Sequence, residues 1–181
     1  MKRGWFILLL LLAIIVGVAV YLLRKGERAV PEAAKEALSS PEKMDLPREK
    51  LDEAWEEAKR AKEIEGLPIT KKYPLEMGNK EAKVRVDAFF PGPGEGLVTS
   101  SNVMKKLAEE YKDKLYVRIS ILGGKMPELL GFTCAAIFIN GRNYIRVDGQ
   151  EIILMRHATH DASTVEKAIR QAIKENYGAS P

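Results

Sequence analysis

Nineteen consecutive residues, from Trp5 to Leu23, carry no charge. As an α-helix rising 1.5 Å per residue they span about 28 Å, close to the hydrocarbon thickness of a bilayer. Such a chain is expected to be pinned to a membrane and to present its remaining residues on one side of it. A cleaved signal peptide has a shorter apolar run, about 7–15 residues, followed by a small-x-small cleavage site. Tyr21-Leu22-Leu23-Arg24-Lys25 stands there instead, so residues 1–25 read as a retained, single-pass signal anchor in the cell membrane. No cysteine lies in or beside the segment, which excludes a lipoprotein anchor. Lys2 and Arg3 are balanced across it by Arg24, Lys25 and Arg28. The short N-terminal head then favours an extracytoplasmic position for the soluble domain.

The same segment accounts for the basicity of the chain. Lys2, Arg3, Arg24, Lys25 and Arg28 against Glu27 make up the whole net charge of +4, leaving 24 basic and 24 acidic side chains elsewhere. A pI near 9.1 therefore belongs to the membrane flanks and makes no case for a nucleic-acid partner. With 181 residues, the chain has room for one domain once an anchor and a linker are set aside.

Residues 26–47 are rich in Ala, Glu, Lys, Ser and Pro, with Ser39-Ser40-Pro41 breaking any continuous helix, and read as a flexible linker. Leu51, Ala54, Trp55, Ala58 and Ala61 then recur at helical spacing, and Gly66 with Pro68 supplies a stop, giving an amphipathic helix over 48–66. It is expected to pack Trp55 onto the domain or to act as a spacer; a partner-binding role is the alternative.

The domain proper is expected over 67–181. Val84, Val86 and Ala88 alternate with Lys83, Arg85 and Asp87 as a strand running into Phe89-Phe90, which Pro91-Gly92-Pro93-Gly94-Glu95-Gly96 ends. Val103, Met104, Leu107, Ala108 and Tyr111 mark a helix from about Ser100 to Lys112, and Leu115, Val117, Ile119 and Ile121 a second strand. A helical crossover between two strands implies parallel pairing. After Gly123-Gly124, residues 126–130 suit one helical turn. Ala135 to Ile139 suits a central strand covered on both faces. Asn140-Gly141 is the dipeptide of a type I′ hairpin, with Tyr144, Ile145 and Val147 returning. Ile152 to Met155 offers a further strand. Ser163 and Glu166 have capping-box spacing for a last helix with Val165, Ala168, Ile169, Ala172, Ile173 and Tyr177 inward.

This order, β-α-β-(short α)-β-β-α over residues 82–177, resembles the thioredoxin-like fold superfamily, and the segment 131–141 resembles its strand and Asn-Gly hairpin. The resemblance implies an α/β protein, a three-layer α/β/α sandwich with a mixed sheet, behind the transmembrane helix. It also implies a degenerate member. Where the family carries Cys-x-x-Cys this chain has Pro91, Gly92, Pro93 and Gly94, and where it carries a cis-proline this chain has Thr133. With Cys134 alone, no internal disulfide can form, so dithiol oxidoreductase chemistry is excluded within one chain.

Two functions follow as expectations. The first is a membrane-tethered, redox-inactive module that binds a protein partner or small ligand at a site built from Pro91, Gly92, Pro93, Gly94, Thr133 and Cys134. The second uses Cys134 with His157 and His160, the only histidines, for single-thiol redox or metal handling. Against it, a lone Cys beside an apolar run also reads as a buried small residue, and His-x-x-His before a helix reads as surface. No cofactor motif is present. Gly92, Gly94 and Gly96 match no nucleotide fingerprint, and Glu95 would repel an anion.

Overall fold

The computed structural model describes residues 42–64 and 73–178. The expected membrane segment and the linker as far as residue 41 lie outside them. So do residues 65–72. Among the described residues no helix is long and apolar enough to cross a membrane.

The elements, in chain order, are α1 (Arg48–Ile64), β1 (Leu75–Gly78), β2 (Val84–Phe90), α2 (Glu95–Glu110) and β3 (Leu115–Ile121). A 3-10 turn (Gly123–Lys125), α3 (Met126–Leu130), β4 (Ala136–Ile139), β5 (Tyr144–Val147) and β6 (Gln150–Ile153) follow, then a second 3-10 turn (Arg156–His160) and α4 (Ala162–Tyr177). The fold is a mixed α/β arrangement around a mixed four-stranded sheet of order β1-β3-β2-β4. β2 and β3 pair in parallel from Val84 opposite Leu115 to Phe90 opposite Ile121, joined by α2 as the crossover that parallel pairing requires. β1 and β4 flank them antiparallel.

Strand alternation sorts the side chains onto two faces. Val84, Val86, Ala88, Leu115, Val117 and Ile119 pack with Leu97, Met104 and Leu107 of α2 and Val165, Ile169 and Ile173 of α4. Phe89, Ala136 and Phe138 pack on the other face with Leu51, Ala54 and Ala58 of α1 and Met126 and Leu130 of α3. On this second face the alternate positions of β2 and β3 are charged. Asp87 and Arg118 are 1% and 4% exposed. Asp87 accepts from Arg85 Nε at 2.9 Å and from Arg118 Nε. Asp52 of α1 accepts from Arg118 Nη1 at 2.8 Å and from Arg85 Nη2. Arg118 also donates to the Leu51 carbonyl, and the Trp55 ring lies 5.1 Å from its guanidinium carbon. Desolvation alone would raise the Asp52 carboxyl; the hydrogen bonds and charges of Arg85 and Arg118 outweigh it and hold that carboxyl below its ordinary range. Helix α1 is thus seated by charge and ring stacking as well as by its apolar stripe.

Five expectations are revised. β4 is an edge strand rather than a central one, yet it is buried throughout. Its outer side is closed where Ile137 N donates to the Leu154 carbonyl at 2.9 Å and Arg156 N donates to the Ala135 carbonyl at 2.8 Å. The Asn140-Gly141 turn forms with both residues at positive φ, 52° and 87°, and Ile139 and Arg142 exchange both backbone bonds. The returning strand then leaves the ladder and pairs with β6 in a separate two-stranded sheet. Asn143, fully buried, causes the divergence by holding another segment beside the turn. Its side chain accepts from Met44 N at 2.8 Å and donates to the Glu42 carbonyl at 2.9 Å. Residues 42–46 are consequently tied to the domain by hydrogen bonds, where a flexible linker was expected. Gly141 fits that packing: a Cβ there would lie 2.7 Å from the Leu46 carbonyl oxygen. Helix α2 begins at Glu95, five residues early, because buried Ser100 and Ser101 continue an inward stripe that their polarity conceals. Finally, α4 is capped by Asp161, which accepts from Ser163 N at 3.0 Å, rather than by Ser163.

Candidate functional site

β2 delivers the chain to Pro91 at the carboxyl end of the parallel pair, where open α/β sheets place their ligand crevices. Here Pro91, Gly92, Pro93 and Gly94 cannot extend a ladder and bend the chain into α2. The resulting crevice, about 570 Å³, is lined by those four residues, the first turn of α2, Thr133, Cys134, Ala135, Arg156, His157 and His160. Every residue singled out from the sequence therefore lines one opening. Cys134 is half-buried just before β4. Val98, at 57% exposure the one exposed large apolar residue among those described, stands on the first turn of α2.

The walls are held by bonds between the second 3-10 turn and α2. Ser100 Oγ, fully buried, donates to the Thr159 carbonyl, and Thr159 Oγ1 donates to the Arg156 carbonyl at 2.6 Å. Arg156 adopts a left-handed φ of 57°, a conformation uncommon for a non-glycine residue. The His160 ring lies directly on Gly96: a Cβ there would fall 2.2 Å from its Cδ2. Glycine at 96 is thus what lets the turn approach the helix.

The ligand set of Cys134, His157 and His160 does not form. The two imidazoles meet edge to face with centroids 6.0 Å apart, and among the described residues no three His, Cys, Asp or Glu side chains gather as a metal site. His160 instead packs on the helix, and Asp161 is committed to capping α4. Hydrogen bonds from Thr164 and Ser163 hold the Asp161 carboxyl below its ordinary range. The crevice thus brings a thiol, two imidazoles, the Thr133 hydroxyl and the charged Glu95 and Arg156 together with apolar Phe90, Leu97 and Ala135.

Sequence reasoning missed Gly96, Ser100, Thr159 and Arg156 as the parts that shape this opening. The Ser100-Ser101 pair inside a helical stripe was a signal for the second of them. No family model matches the chain, and no curated protein or solved structure matches it.

Proposed function

We propose that this chain is a membrane-tethered module of thioredoxin-like fold that binds a protein segment or small ligand in the crevice at the carboxyl end of β2, without dithiol chemistry. The observation that carries the reading is the convergence of Pro91, Gly92, Pro93 and Gly94 with Thr133 and Cys134 on one opening of about 570 Å³, large enough to enclose a small ligand or a few residues of a peptide. The fold assignment draws support from the β2-α2-β3 parallel unit, the antiparallel β4 with its Asn-Gly turn, and the closing helix α4. The antiparallel β1 and the charged face under α1 depart from a minimal version of that fold. The tether rests on the uncharged run from Trp5 to Leu23, with the domain on the extracytoplasmic side. Binding rather than redox turnover follows from a single sulfur in the chain's cysteine complement, which leaves no resolving thiol.

The lone thiol makes the test direct. Cys134 in the full-length protein is equilibrated with a panel of disulfide-bearing fragments under mild reductant, and mass spectrometry reports which remain attached. Selective retention of a few fragments, lost in a Pro93→Glu variant that places a charge at the rim, is the expected result. Uniform capture of all fragments, unaffected by that substitution, would show that the crevice has no binding preference.

A further inference from the structure

A second pocket, of about 240 Å³, opens at the other end of β2. It lies between the start of α1, the start of β2 and the Asn140-Gly141 turn, and the pair Arg85 and Asp87 forms part of its lining. Its floor is a charge cluster whose bonds are mostly spent internally. Arg118 donates once through each of Nε, Nη1 and Nη2. Arg85 uses Nε on Asp87 and Nη2 on Asp52, while its Nη1 makes no hydrogen bond among the described residues. Arg85 itself lines the pocket. Around it stand Arg48, 3.8 Å from Asp52, and Lys80, paired with Glu76 at 2.7 Å. Lys83 completes the rim, its ammonium over the Tyr177 ring. Counting Arg48, Arg85, Arg118, Lys80 and Lys83 against Asp52, Asp87 and Glu76, the pocket and its immediate partners carry two positive charges in excess.

We propose that this pocket binds a small molecule through an oxyanion group, a carboxylate or a phosphate. A guanidinium held rigid on two carboxylates with donors left over is preorganised to receive acceptor oxygens in a fork. Arg48 on the opposite lip would close on the same group. The pocket, about 240 Å³, is of a size for a metabolite-sized anion.

The test is a titration of full-length protein in nonionic detergent with inorganic phosphate and, separately, citrate. Ionic strength is fixed with chloride, and backbone amide shifts are read by NMR. Saturable shifts at Arg85, Asn140 and Gly141 are expected, with one anion preferred and affinity weakened at least about fivefold by Arg48→Gln. Arg48 is largely exposed, so that variant keeps the fold; the Asp52 and Asp87 amide positions serve as the check. Shifts that stay linear and equal those of added chloride would overturn the proposal. So would saturable binding that Arg48→Gln leaves unchanged, or that maps instead to residues 91–96.

Discussion

The two faces of β2 and β3 share a backbone ladder and differ in everything laid over it. Toward α2 and α4 the strands present Val84, Val86, Leu115, Val117 and Ile119, buried to 0% exposure in an apolar layer. Toward α1 they present Asp87 and Arg118, nearly as far from water, and Arg85, 13% exposed, all held by charge. An apolar layer tolerates losing a group at the cost of a cavity. A buried ion cluster does not tolerate losing a partner, because the remaining charges have nowhere to go. The comparison teaches that alternation in a strand separates two faces without telling which of them is solvent.

The contrast is broken most severely at Asp87. Asp87→Ala leaves Arg85 and Arg118 to share the single carboxylate of Asp52 and is expected to cost about 4 kcal/mol, read as a loss of unfolding free energy in denaturant titration. Leu107→Ala on the apolar side is expected to cost about 3 kcal/mol. If Leu107→Ala proved the costlier, the charged face would be less buried than described.

Asp52 sharpens the comparison, since its carboxylate is partly exposed, 44%. Asp52→Asn is expected to cost about 1 kcal/mol at neutral pH. Its carboxyl is held below the ordinary range by Arg85 and Arg118 against the opposing desolvation. The stabilisation it supplies is therefore present above the unfolded value, about 3.9, and lost as pH falls through the lowered folded value. The acid limb of a stability-against-pH curve should become shallower in Asp52→Asn; an unchanged limb would remove Asp52 from the cluster.

The smallest effect is expected at Gly96. A methyl group there meets the exposed His160 ring, which can swing away, while alanine favours the helix by about 1 kcal/mol over glycine. Gly96→Ala should change stability by under about 0.5 kcal/mol yet move the His160 imidazole resonances in NMR. Unmoved resonances would show that the ring does not rest on the helix.

Much of this was legible from residue order. The strand at 84–90, the helical turn at 126–130 and the Asn-Gly turn could be read because period and turn chemistry are local properties. The crevice could be read in its membership, since Pro91, Thr133 and Cys134 fall where elements end. What could not be read was set by distant partners. Asn143 binds residues 42–46 across a hundred positions, diverting the returning strand. Ser100 and Ser101 hide an inward helical turn because hydroxyls bonded inside look polar in sequence. The metal reading rested on the convergence of Cys134, His157 and His160 that the resemblance implies, and the contact of the His160 ring with Gly96 is a tertiary one that no local pattern carries.

The most direct test of the claim that the open end of β2 is the binding end uses one fragment selected on Cys134, freed of its disulfide and titrated into full-length protein. Amide shifts confined to residues 91–97, 133–135 and 156–160 are the predicted result. Shifts centred on α1 and the start of β2, with those three stretches silent, would contradict it.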